Sequence, residues 1–182
     1  MHQNPERQHR IIRLIRHFPV RYSFRPLLRG TELEQAMKDY DTPELLDVPT
    51  AIPTYSCIGT LYSSDLNRAR ITAELLFKQK PITDPRLREF VFEPVLPPSW
   101  KLPGWLWGVL GRYCASKKKN ESFRTPIIEF LEELLATNTD ATIVCHGYVM
   151  YILQKELLRR GFSGKRFLTP KHAKPYIFTR RN

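Results

Sequence analysis

The sequence predicts an α/β fold: a mainly parallel sheet with helices on both faces. Three observations carry that expectation. Short apolar runs of strand length (Arg10 to His17, Cys57 to Tyr62, Ala141 to Cys145) alternate with longer stretches of helical period. Alternation of strand and helix is the pattern of a parallel sheet covered by its own connections. Hydrophobic residues make up 42% of the 182 residues, enough for a packed core without metal or disulfide staples.

The elements follow in order. The first residues, up to His9, are polar and expected to fray. Arg10 to His17 reads as a buried strand closed by Pro19. Residues 30–40 read as a helix with Thr31 as N-cap and Glu34 three positions on. Cys57 to Tyr62 gives a second strand, and Ser63-Ser64-Asp65 leads into an amphipathic helix from Leu66 to Phe77. A proline-rich irregular region covers 80–104, and the aromatic stretch 104–114 reads as a short helix or a lid, so an insert is expected at about 94–122. A long helix from Ser122 to Ala136 is expected to start around Thr125-Pro126. Ala141 to Cys145 is a buried strand ending at His146-Gly147, and Tyr148 to Arg160 is a helix stopped by Gly161. Ala173 to Thr179 reads as a last strand. With no internal repeat and no composition break, one domain over 1–182 is expected.

A formal net charge of +11 points to anionic partners, either a polyanion or a small phosphorylated molecule. The basic residues are scattered, with short clusters only at Lys117 to Lys119 and Arg180-Arg181, so a nucleic-acid stripe is not expected. Cys57, Cys114 and Cys145 match no metal knuckle or redox pair and fit free, mostly buried thiols in a reducing compartment. The apolar stretch from Ile11 to Val20 is broken by Arg13, Arg16 and His17, and no run of roughly 20 apolar residues occurs, so a cytoplasmic chain without membrane contact is expected. Nothing in the sequence bears on oligomeric state.

Open α/β sheets bind ligands at the carboxyl ends of their strands. Three strand ends here carry reactive polar groups: Arg16-His17, then Ser63-Ser64-Asp65 with Arg68 one turn on, then His146-Gly147. Guanidinium forks match phosphate oxygens, and an unprotonated imidazole nitrogen attacks phosphorus. One histidine after a strand is ordinarily a satisfied loop residue, and Ser-Ser-Asp before a helix is ordinarily a cap. Their joint occurrence at three strand ends is what the bland reading explains poorly.

These residues resemble a known family. Arg16-His17-Phe18 is similar to the arginine-histidine-glycine signature of the histidine phosphatase (phosphoglycerate mutase-like) superfamily. Tyr62 to Ala73 resembles its second motif, Leu87-Arg88-Glu89 the segment that often supplies the acid, Asn120-Glu121-Ser122 the start of a family helix, and Val144 to Gly147 the strand bearing the second histidine. The resemblance implies a three-layer sandwich of the phosphoglycerate mutase-like kind, with no cofactor and no metal. It implies a histidine acid phosphatase-type phosphoric monoester hydrolase acting on a small phosphorylated substrate, with inorganic phosphate as product. His17 would be the nucleophile, Arg16, Arg68 and His146 would bind the phosphoryl group, and Glu89 would be the proton donor, with Glu93 as the alternative. To donate, the acid must hold its proton, which burial favours.

The chain departs from the family pattern at Phe18, where glycine is usual, and at Pro19 and Val20, where polar phosphate contacts are usual. Arg21 and Ser23 are candidates to replace those contacts. His172, between Lys171 and Lys174, is a further histidine near a late strand. Trp100, Trp105 and Trp107 line a substrate pocket or pack a lid. Two other functions compete with the phosphatase: a mutase, which ordinarily needs a longer chain to seal its site from water, and a phospholigand-binding scaffold, which would not need the nucleophile. A nucleic-acid binder is the weakest reading.

Overall fold

The computed structural model describes residues 9–22, 26–89, 97, 99–107 and 120–181. Its centre is a six-stranded, mostly parallel sheet. In chain order the elements are β1 (His9–Arg16), β2 (Leu28–Arg29), α1 (Leu33–Tyr40), β3 (Thr60–Ser63), α2 (Asn67–Phe77), β4 (Ile82–Thr83), β5 (Lys101–Leu102), α3 (Asn120–Ala136), β6 (Ala141–Cys145), α4 (Gly147–Arg159), β7 (Ser163–Gly164) and β8 (Pro175–Arg181). The sheet order is β4-β3-β6-β1-β8-β7, while β2 and β5 form a separate pair. β4, β3, β6 and β1 run parallel, β8 pairs antiparallel with β1, and β7 pairs antiparallel with β8 at the edge.

Register decides where the reactive strand ends meet. Arg16 pairs with Cys145, and Ser63 with Val144, so β1, β6 and β3 finish at one edge.

Alternation along the strands separates two cores. Ile12 and Leu14 of β1, with Ala141, Ile143 and Cys145 of β6, pack against Ile127, Leu131, Val149 and Leu153 of α3 and α4. Ile15 and Val144 point the other way and pack with Ala73, Leu76 and Phe77 of α2. Three layers result, as the resemblance implied. Arg10 is buried on the α3 side, where its guanidinium donates to the carbonyls of Leu134 and Leu135 at 2.6 Å each, satisfying groups that a helix C-terminus leaves open.

Several local expectations are corrected. The second strand begins at Thr60 rather than Cys57, because Gly59 takes φ +61° and its neighbourhood admits no side chain. Thr31 does not cap α1; it lies in a 3-10 turn, Gly30–Glu32, and Glu32 accepts from the Arg29 N–H instead. Pro126 lies inside α3, which already runs at Asn120, so the expected start at Thr125-Pro126 is too late. The last strand is Pro175–Arg181, antiparallel to β1. Gly161, at φ +81°, follows α4 as expected.

Most of the expected insert, with Cys114 and Lys117 to Lys119, lies outside the described residues, as do residues 1–8. Within it, Trp107 is buried with Leu28, Leu33 and Ala36, and its indole N–H donates to the Leu28 carbonyl at 2.8 Å. Trp100 and Trp105 are exposed. Among the described residues no helix is long and apolar enough to cross a membrane.

Candidate active site

The edge where β1, β6 and β3 end carries a cluster of cations and imidazoles. His17 follows β1, and its N–H donates to the Cys145 carbonyl at 3.1 Å, extending the parallel ladder by one residue. His146 follows β6 directly and is the N-cap residue of α4. Adjacent parallel strands therefore set the two imidazoles side by side, with ring centroids 5.1 Å apart. His17 is 2% exposed and His146 is fully buried.

The tautomer of His17 follows from its surroundings. Nδ1 lies 2.6 Å from the Phe18 carbonyl, which can only accept, so Nδ1 carries the proton. Nε2 then holds the lone pair. Phe18 itself turns into the core beside Ile15, Leu76 and Val144. Its bulk is thus directed away from the edge, and its carbonyl serves the nucleophile candidate.

Arg68, in the first turn of α2, is 3% exposed. Its Nη1 meets Asp41 Oδ1 at 2.8 Å, and its guanidinium lies 5.0 Å from the Tyr40 ring centroid. The Asp41 carboxylate also accepts from the Asn67 N–H at 3.1 Å, capping α2 from a distant loop. Arg16 donates through Nη1 to the Pro170 carbonyl at 3.1 Å, and its guanidinium lies against Gly147 at the start of α4. Both guanidinium groups act on the two imidazoles, and guanidinium groups and helix N-termini are groups that bind anions.

The charges act on the imidazoles. Burial holds the pKa of His17 well below the ordinary histidine value, and Arg68, His172 and Arg16 push it in the same direction. Burial does the same to His146, aided by Arg68, His17 and Arg16. Both rings are therefore neutral near pH 7. Among the described residues no protein group bonds either ring nitrogen of His146 or the Nε of Arg68, although all three atoms are buried. Buried polar atoms without a protein partner mark a place for a polar ligand.

Glu89 is half-buried where two clefts meet. One, of about 580 Å³, is lined by Arg68, Asp41, Asn67 and Lys38 beside α1. The other, of about 350 Å³, is lined by Arg16, Gly147, Tyr148, Tyr151 and Leu168. Burial raises the pKa of the Tyr40 phenol and the Cys145 thiol, and the nearby Glu89 charge adds to both.

The structure thus brings together Arg16, His17, Arg68 and His146, with Glu89 alongside. Arg21 is an exposed residue bound to Asp47 at 2.6 Å, and none of the contacts that build the cluster involves it. Ser23 and Glu93 lie outside the described residues. Sequence reasoning missed Asp41 and Tyr40, since nothing marks the end of α1 as reaching α2. His172 does reach the cluster: its ring lies 5.3 Å from that of His17. Among the described residues no three His, Cys, Asp or Glu side chains converge to hold a metal ion.

Comparison with known proteins bears on family and fold. Residues 54–179 match the model of the Histidine phosphatase superfamily (branch 1), a span that holds Arg68 and His146 and begins after Arg16-His17. No curated protein matches the chain in sequence. Among solved structures, "Mycobacterial hydrolase 2" aligns with a TM-score of 0.52 and 15% identity, over 94% of this chain and 82% of that one. The protein TTHB049 from Thermus thermophilus aligns with a TM-score of 0.48 and 23% identity, over 92% of each chain.

Proposed function

The chain belongs to the histidine phosphatase superfamily, a membership that supports phosphatase or phosphotransferase activity, and we propose that it is a metal-independent phosphomonoesterase working through a phosphohistidine at His17. One observation carries the reading. Two buried imidazoles lie 5.1 Å apart beside Arg68, and Nδ1 of His17 is committed to a backbone carbonyl, which leaves Nε2 to attack.

His17 Nε2 attacks the phosphorus of a small phosphorylated substrate in line. The bond from phosphorus to the leaving oxygen breaks, and that oxygen takes a proton from Glu89. Water then attacks the phosphohistidine, passing a proton to the Glu89 carboxylate. The phosphorus–nitrogen bond breaks, and inorganic phosphate leaves. Arg16 and Arg68 meet the charge on the equatorial oxygens, and His146 donates its ring N–H to the same group. Because both rings start neutral, the nucleophile is ready without a separate base.

A panel of phosphomonoesters, assayed with and without EDTA, tests this. Turnover should survive EDTA, and a rapid quench should trap phosphate on His17. His17→Ala should abolish turnover. Glu89→Gln should slow a substrate with a poor leaving group by about 10²–10⁴ and a good one much less. Full activity in His17→Ala, or loss of all activity in EDTA, would overturn the proposal.

A further inference from the structure

His172 stands on the opposite side of His17 from His146. The turn before β8 bears it, and it joins the sheet edge through a parallel bridge between Arg16 and His172. Its Nδ1 lies 2.6 Å from the His17 carbonyl, which can only accept, so this nitrogen also carries a proton. The next residue, Ala173, donates its N–H to the Arg16 carbonyl at 2.8 Å. Two successive groups of one turn thus hold the carbonyls of two successive residues of the cluster. Ala173 does so at φ +52°, a left-handed conformation that a residue with a Cβ rarely adopts. Such a conformation persists where surrounding contacts over-determine it.

The peptide between His17 and Phe18 is held at both ends. Its carbonyl receives the His172 N–H, and its N–H donates to Thr72 Oγ1 at 2.9 Å. The Thr72 hydroxyl donates in turn to the Arg68 carbonyl at 2.6 Å, tying this peptide to the helix turn that bears the guanidinium. The next carbonyl along, that of Phe18, is the acceptor that fixes the His17 ring. Rotation of the 17–18 peptide would change ψ of His17 and φ of Phe18, and so the placement of the His17 ring relative to this acceptor. Phe18 is anchored in the core and Thr72 is fully buried, so His172 is the more exposed of the groups that set the plane.

We infer that His172 is a positioning residue for the nucleophile: its Nδ1–H, donated to the His17 carbonyl, fixes the peptide plane on which the orientation and tautomer of the His17 imidazole depend. The inference rests on the proposed role of His17 in one respect, that its aim controls the rate. A misplacement on the order of 1 Å in a reacting group costs about 10²-fold in rate. Binding of the phosphoryl group falls to the side chains of Arg16, Arg68 and His146, whereas the His172 ring bonds the His17 carbonyl.

The test compares His172→Ala, His172→Leu and His172→Asn, each checked for folding by thermal melting. Asn keeps a donor for the carbonyl, and Leu fills similar space without one. In single turnover, Ala and Leu should slow phosphohistidine formation by about 10- to 100-fold, whereas Asn should restore the rate to within about 3-fold of the parent. The inhibition constant of inorganic phosphate should stay within about 2-fold in all three, since the clamp is intact. Nitrogen-15 spectra of His17 should show one tautomer, protonated at Nδ1, in the parent and Asn variant, and a mixture in Ala and Leu. If Ala does not fold, Leu against Asn carries the comparison. Retention of the single tautomer and of the rate in Leu would overturn the inference, as would an Asn variant as impaired as Leu, or equal loss of phosphate affinity and rate. The spectra read the tautomer without turnover, so a protein that hydrolyses no phosphomonoester would refute the proposed function and still leave the His172 contact tested.

Discussion

At His17 one hydrogen bond decides which nitrogen can react, and burial decides over what pH range it is available. The folded pKa of His17 is depressed by burial first and Arg68 next. Protonation of Nε2 removes the lone pair, so His17 should give kcat/KM a limb that falls on the acid side. That limb should lie below 6.5, the ordinary histidine value. An acid limb centred above 6.5 would show that the titrating nucleophile is not this imidazole. Arg68→Met makes a second prediction at the same scale. It should lower kcat/KM by roughly 10²–10³, the usual cost of one donor to the transition state. It should also move the acid limb toward neutral pH, because a positive charge that opposes protonation is gone. A variant that loses rate with the limb unmoved would separate Arg68 from the His17 environment. The two histidines proposed for the chemistry, His17 and His146, were legible in the sequence because each directly follows a strand. The residues that hold them were not. Asp41 meets Arg68 across 27 positions and His172 meets His17 across 155, and local pattern carries no information over such distances.

Among the elements, strands and helices with an unbroken apolar pattern were readable almost to the residue. Fully buried β6 and the glycine-stopped α4 are examples. Two-residue strands such as β4 and β7 have no period to read and exist only through their partners in the sheet. The start of β3 failed for a different reason. Gly59 lies against the loop before β6, where a Cβ would fall 1.8 Å from the Asp140 carbonyl oxygen. That carbonyl accepts the Thr60 N–H at 3.0 Å, and the Asp140 carboxylate accepts the Ile11 N–H at 2.7 Å. One residue thus joins the starts of β3, β6 and β1, and only glycine permits the approach. Gly59→Ala combines a left-handed conformation with a clash against backbone, so it should destabilise the fold by about 2–4 kcal/mol. Urea unfolding should show a lower midpoint at an unchanged slope, the mark of altered stability in a two-state transition. An Ala variant within about 0.5 kcal/mol of the parent would mean that the β3–β6 approach is looser than described.

On the scale of the whole molecule, the site is a stability cost that rises with acidity. His17, His146 and His172 all have folded pKa values below the ordinary one, burial being the first cause in each. In the unfolded chain they titrate near 6.5, so between that value and their folded values the unfolded state binds more protons. Stability should therefore be unaffected by these groups well above pH 6.5. It should decline as pH falls through 6.5, by up to about 1.4 kcal/mol per pH unit for each ring, and level off below the folded values. Carboxylates ordinarily titrate nearer 4, so a decline already evident between pH 7 and 5.5 reports the imidazoles. Inorganic phosphate should oppose it. An anion between Arg16, Arg68 and the two strand-end histidines binds only the folded chain and favours the imidazolium forms, raising their folded pKa values. Melting temperatures measured from pH 7.5 to 5.5 should fall steeply without phosphate and less steeply with it, while sodium chloride at equal ionic strength should not substitute. The net charge of +11 makes that control necessary, because any salt screens the self-repulsion of so basic a chain. Parallel melting curves with phosphate and chloride would mean that the anion acts on the surface as a whole. A phosphate-specific flattening would locate its effect at the buried histidines.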